Sequence, residues 1–188
     1  HSLQVGEALP APRAGLSVGV GVSGWVYLFG GRDDLGQPSG ALWRFDTAVA
    51  PAGDYLELDG DPALARSGAA TAPTGQERFL VAGSPPAVID GYSGAMRALD
   101  APAILGGTLT SVEDTERVDP VVYTIAIGAD AGSTGVTRYT GGFFTELPAP
   151  ADAVRTEHGA VPTPGDDVIA IGGAVAGVLV SSALRIDP

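Results

Sequence analysis

The chain has no cysteine, no lysine and no asparagine, and only one methionine and two histidines among its 188 residues. The missing cysteines exclude disulfides, thiolate metal sites and a cysteine nucleophile, and the missing lysines remove the cation of a phosphate-binding loop. All ten basic residues are arginine, a bias that points to a GC-rich bacterial genome rather than to a function. Positive charge is scarce: 22 acidic residues give a net charge of −12. Such a surface repels nucleic acid and anionic lipid and favours cations, basic partners and solubility, so no nucleic-acid partner is expected. Long apolar runs are also lacking. Ala174 to Val180 is typical of those present, far below the roughly 18 to 20 residues of a membrane helix, and no membrane insertion is expected. No signal-like segment opens the chain. His1-Ser2 resembles the remnant of a cleaved tag, which leaves upstream targeting open. The acidic, turn-rich character suits an extracytoplasmic or cell-surface home, and a cytoplasmic one fits almost as well.

What the chain has in quantity is glycine (28) and proline (15), which interrupt every apolar stretch before it completes three helical turns. An all-β domain spanning residues 1–188 follows. Four apolar runs end on a glycine pair or a degraded copy of one: Leu28-Phe29-Gly30-Gly31, Val81-Ala82-Gly83, Ile127-Gly128-Ala129 and Ile171-Gly172-Gly173. Gly31, Gly83, Ala129 and Gly173 lie 52, 46 and 44 residues apart, a period that belongs to propeller blades. Each doublet is read as a tight turn after a central strand, the strands being Trp25 to Phe29, Arg78 to Val81, Val121 to Ile127 and Val168 to Ile171. Small-residue segments before them (Gly15 to Val22, Gly68 to Ala72, Gly107 to Val112, Gly159 to Pro162) suit inner strands crowded round an axis. Third strands are expected at Ala41 to Asp46, Ala87 to Asp90, Gly135 to Thr140 and Ala183 to Asp187. Fourth strands are marked by Tyr55 with Leu58, Met96 with Leu99 and Phe144 with Leu147.

The last repeat lacks a fourth strand, whereas the N-terminus carries an orphan segment, Leu3 to Leu9. Glu7-Ala8-Leu9-Pro10-Ala11-Pro12 parallels Glu146-Leu147-Pro148-Ala149-Pro150 at the end of the third repeat. The expectation is a split last blade, the N-terminal strand pairing with Ala183 to Asp187 and removing an exposed edge. The alternative is a piece of a longer array with arbitrary ends.

Pro12-Arg13-x-Gly15, Tyr27-Leu28-Phe29-Gly30-Gly31 and Trp43-x-Phe45-Asp46 together resemble the Kelch repeat, with echoes at Arg66-x-Gly68, Arg138-Tyr139 and Arg155 with Gly159. The resemblance implies a β-propeller of four Kelch-like four-stranded blades, at about 10–58, 59–99, 100–147 and 148–188 plus 2–9. It departs from the family pattern at the outer-strand tryptophan, where Tyr55, Met96 and Phe144 stand. Copper-radical oxidases share that family's fold, but their tyrosine–cysteine crosslink is impossible here.

His158 is the one credible internal histidine; beside Glu157 and Arg155 it either meets a ligand at the channel mouth or bonds locally within its loop. Acidic clusters at Asp33-Asp34, Asp59-x-Asp61, Glu113-Asp114 with Glu116 and Asp166-Asp167 are read as turn residues ahead of calcium ligands. Neither a nucleophile elbow nor a catalytic triad is recognisable, and neither a catalytic residue, a metal nor a cofactor is assigned. Arg13, Arg66 and Arg155 recur just before inner strands, where hydrogen bonding between blades is expected. The function implied by the resemblance is a non-catalytic module for a protein or peptide partner. Its binding candidates are Arg32, Asp33, Asp34, Gln37, Tyr92, Arg155, Glu157 and His158. Two other readings stay open: a monomeric module against a partial ring completed by a homodimer, and a propeller-based hydrolase or lyase.

Overall fold

The computed structural model describes residues 7–49, 52–101, 104, 107–114, 121–128, 134–163 and 167–187. Among them the regular structure is all β apart from two 3₁₀ turns, Pro62–Leu64 and Ala151–Ala153. The first sheet pairs β1 (Ala14–Val20), β2 (Val26–Arg32), β3 (Leu42–Asp46) and β4 (Asp54–Leu58) in chain order. The second repeats this with β5 (Thr71–Gly75), β6 (Arg78–Val81), β7 (Ala87–Asp90) and β8 (Ala95–Ala98). The third does so with β9 (Thr108–Asp114), β10 (Val121–Ile127), β11 (Val136–Thr140) and β12 (Phe143–Glu146). After β13 (Arg155–Thr156), a fourth sheet joins β14 (Gly159–Pro162), β15 (Val168–Ile171) and β18 (Ala183–Ile186). Between β15 and β18, the hairpin β16 (Ala174–Val175) and β17 (Val178–Leu179) pairs with β13 as a small fifth sheet. All pairings are antiparallel.

Why the central strands read as unbroken apolar runs is clear from their neighbours. Side chains alternate across a strand. In β6, Phe79 and Val81 therefore pack with Tyr27, Phe29 and Leu42 of the first sheet. Leu80 and the following Ala82 pack the other way, with Ala126 and Tyr139 of the third sheet. A third core joins Val112, Ile125, Ile127 and Val136 to Val168, Ala170, Leu184 and Ile186. The innermost strands follow one another: β5 lies beside β1, β9 beside β5 and β14 beside β9. Four sheets thus share three apolar seams, and burying each large side chain in them contributes on the order of 1.5–3 kcal/mol.

The outward faces of the end sheets lack such cover. Ser17 donates to the Ala69 carbonyl across the first seam, so Val18 points the opposite way and is 51% exposed. On the fourth sheet, Ile171 alternates away from the core residue Ala170 and is 55% exposed.

Two expectations are corrected. The glycine pair does not end the first central strand, because β2 runs through Gly30 and Gly31 to Arg32. The inner strand of the second sheet starts at Thr71 rather than Gly68. Residues 68–70 instead bond across to neighbours, the Gly68 amide donating to Gly15 O and Ala70 O accepting from Ala82. A bulge between Pro73 and Gly75 then shifts the β5–β6 register. The pairing expected for Leu3 to Leu9 falls mostly outside the described residues; at its described end, the Glu7 amide donates to Ala52 O (3.1 Å), just before β4. The fourth sheet has three strands among the described residues.

Candidate functional site

The glycine pairs lie at one end of the sheets, and the neighbouring backbone explains them. A Cβ on Gly30, whose φ is +74°, would stand 2.4 Å from the carbonyl oxygen of Arg66, in the connection to the second sheet. That same oxygen accepts the Gly31 amide at 2.9 Å. Only glycine tolerates both the left-handed backbone and the approach. The arginine completes the fastening: the Arg66 Nη1 donates to Ala82 O (2.8 Å) and its Nε to Leu64 O (2.9 Å). Arg155 repeats the arrangement two seams further on, where the third sheet meets the fourth. Its guanidinium is fully buried and donates to Asp152 O (2.7 Å), Gly172 O (3.1 Å), Ser182 O (3.4 Å) and the Asp152 carboxylate (3.0 Å).

His158 sits beside this fastener, its Nε2 2.8 Å from the Thr108 hydroxyl, so the pair bridges the starts of β9 and β14. Its Nδ1 is buried without a hydrogen-bond partner among the described residues. Burial, aided by the Arg155 charge, holds the imidazole below its ordinary value of 6.5 and keeps it neutral. Glu157, adjacent and exposed, adopts φ +53°.

Arg32, Asp33, Asp34 and Gln37 share the β2–β3 loop at this end. It is an ordered loop: Asp33 Oδ1 accepts the amides of Leu35 (3.0 Å) and Gln37 (2.8 Å), and Arg32 Nη1 donates to Gly36 O (3.0 Å). Leu35, at its tip, is 79% exposed. Tyr92 belongs elsewhere. It lies in the β7–β8 turn, at the opposite end of the strands, where Asp90 accepts its amide. The structure therefore brings Arg155, Glu157 and His158 together and the four loop residues together at one end, and separates Tyr92 from both.

Of the acidic candidates Asp33 and Asp61 serve turns, Glu113 lies in β9, and Glu116 and Asp166 fall outside the described residues. Asp33, Asp61 and Asp90 each accept backbone amides, while Asp167 accepts Arg185 Nε at 2.7 Å. Among the described residues no three histidine, aspartate or glutamate side chains gather as a metal site.

Sequence reasoning missed Glu77. It is fully buried in the β5–β6 turn and accepts the Ser23 amide at 2.6 Å. Burial pushes its carboxyl up, but the Ser23 bonds, the Tyr27 hydroxyl and the Arg44 charge outweigh that and hold it below its usual range. Gly21 has no room for a side chain because Glu77 Oε2 occupies the space. A turn glutamate carries no signal of burial in sequence.

No family model and no curated protein matches the chain. Its fold is similar to that of a solved structure, YjhT, with a TM-score of 0.62 and 14% identity over 93% of this chain. The chain spans 66% of that neighbour's length.

Proposed function

We propose that the four sheets are blades of a Kelch-like β-propeller and that the chain is a non-catalytic recognition module, binding a protein or peptide through the loops at its glycine-pair end. The observation that carries this reading is the 32–37 loop: three side-chain and two backbone hydrogen bonds order it while it presents an exposed leucine. A preordered loop loses little conformational entropy on association, which favours binding. Half-buried Arg66 and buried Arg155 at the same end donate to carbonyls, so they support the loops rather than meet a ligand. A photo-crosslinking residue at position 35, with one at position 92 as control, tests this in extract of the source organism. The reading predicts a discrete adduct from position 35, lost when Arg32→Ala and Gln37→Ala are added, and none from position 92. Adducts from position 92 alone, or from neither, would contradict it.

A second reading, self-completion of a partial ring, has its own observation. Gly30 abuts the Arg66 carbonyl and Gly128 lies near that of Arg155, whereas a Cβ on Gly172 would meet only Val180 O, at 3.8 Å. No counterpart of the fastener thus links the fourth sheet to the first among the described residues. The two outward apolar faces, at Val18 and Val20 and at Val161 and Ile171, suit a second copy. Two such arcs would make eight blades, within the four to eight known for propellers. Sedimentation velocity should then show a dimer that Val20→Glu dissociates; a monomer at every concentration would exclude it.

A further inference from the structure

A cleft of about 480 Å³ opens between the second and third sheets, at the end away from the glycine pairs. Arg78, Asp90, Ser93, Arg97, Thr74 and Tyr139 line it. Three features make it more than a gap between strands. Arg78 Nε pairs with Asp90 at 3.1 Å, and Asp90 is held in place by also accepting the amides of Tyr92 and Ser93. Arg97 meets no carboxylate among the described residues, although the chain carries a net charge of −12. Tyr139 is only 6% exposed, its ring packed on Phe144 at 4.8 Å, and its hydroxyl has no hydrogen-bond partner among the described residues.

Here burial pushes the phenol up and keeps it protonated, while the charges of Arg97 and Arg78 act on it in the opposite sense. A protonated phenol and two guanidinium groups thus line one cleft, a donor set that matches the oxygens of a carboxylate or phosphate. Gly141 and Gly142, in the β11–β12 turn at the rim, place no side chain over the entrance.

We propose that this cleft binds a small organic oxyanion, carboxylate or phosphate ester, through Arg97, Arg78 and the Tyr139 hydroxyl. The site is separate from the 32–37 loop, so it stands or falls independently of the recognition reading. Val88 and Ala95 supply an apolar wall for the body of the ligand.

Phenyl phosphate and benzoate are the probes, with benzyl alcohol as the uncharged control, and the amide resonances of Gly141 and Gly142 report binding. One or both anions should shift these resonances saturably, and which of them does so identifies the preferred oxyanion; benzyl alcohol should not. Arg97→Gln should weaken binding about tenfold, the loss of one charge-assisted interaction. Tyr139→Phe should weaken it several-fold while leaving the chain folded, since it removes a hydroxyl with no hydrogen-bond partner among the described residues. Arg185→Gln, in the fourth sheet and outside the cleft lining, should leave anion binding unchanged. The proposal is overturned if neither anion gives a saturable shift up to about 10 mM, far weaker than a specific site. It is equally overturned if benzyl alcohol shifts the resonances as much, or if Arg97→Gln binds as tightly as the original chain.

Discussion

Replacing Arg155 by methionine keeps much of the buried stem and deletes every donor of the fourth-sheet fastener. Of the carbonyls it serves, Ser182 O also accepts the Gly172 amide and keeps a partner. The carbonyls of Asp152 and Gly172 lose the bonds at 2.7 and 3.1 Å. Leaving a buried acceptor unsatisfied costs about 1–3 kcal/mol each. The Asp152 side chain is 43% exposed and returns to water, so the ion pair itself adds little. The expected loss is therefore about 3 kcal/mol, or a fall in Tm of roughly 6–12 °C for a chain of this size. Urea denaturation measures it with two probes. Fluorescence reports the first sheet, where Trp25 and Trp43 lie, and far-UV circular dichroism reports all sheets. Coincident transitions justify a single free energy, whereas an earlier dichroism transition would mean that the fourth sheet frays separately. Arg32→Met, which loses one exposed bond to Gly36 O, should change stability by less than about 0.5 kcal/mol. A loss below about 1 kcal/mol for Arg155→Met would refute the fastener argument.

Gly30→Ala and Gly36→Ala separate backbone strain from close approach. Both glycines have φ near +75°, but only Gly30 faces a carbonyl, at 2.4 Å, while Gly36 faces open space. Thermal unfolding should show a loss of about 1 kcal/mol for Gly36→Ala and about 2–4 kcal/mol for Gly30→Ala, overpacking being added to strain. For His158, the folded state holds the imidazole below 6.5, so the unfolded chain binds the proton more readily. Its contribution is complete above the unfolded value and is lost as pH falls below it. The Tm difference between the original chain and His158→Gln should therefore shift in favour of the variant between pH 7.5 and 5.5; a constant difference would show that His158 is not buried as described.

Much of the fold is legible in sequence because its signals are local. Arg78–Val81, Val121–Ile127 and Val168–Ile171 occupy the strands that β-branched and aromatic runs indicate, and Ala87–Asp90 follows with its expected bounds. What escaped depends on partners from other sheets. The glycine pairs look like turn residues until the Arg66 carbonyl is placed against Gly30. Residues 68–70 look like a strand because small residues suit an inner position, yet their backbone bonds are spent on Gly15 and Ala82. Of the candidate site, the β2–β3 loop and the structural use of Arg155 could be read from turn chemistry and recurrence. The burial of Glu77 and the meeting of Arg97 with Tyr139 could not, since each joins side chains from different strands or sheets with no spacing rule between them.

Amide hydrogen exchange tests the central claim, that the Gly30-Gly31 pair is fastened to the segment leading into the second sheet. The Gly31 amide, bonded to Arg66 O at 2.9 Å, should open only with global unfolding and match the protection of core β6 amides. The Gly36 amide, bonded within its own loop to Asp33 O, should exchange through local opening and much faster. Gly31 exchanging as readily as Gly36 would contradict the account.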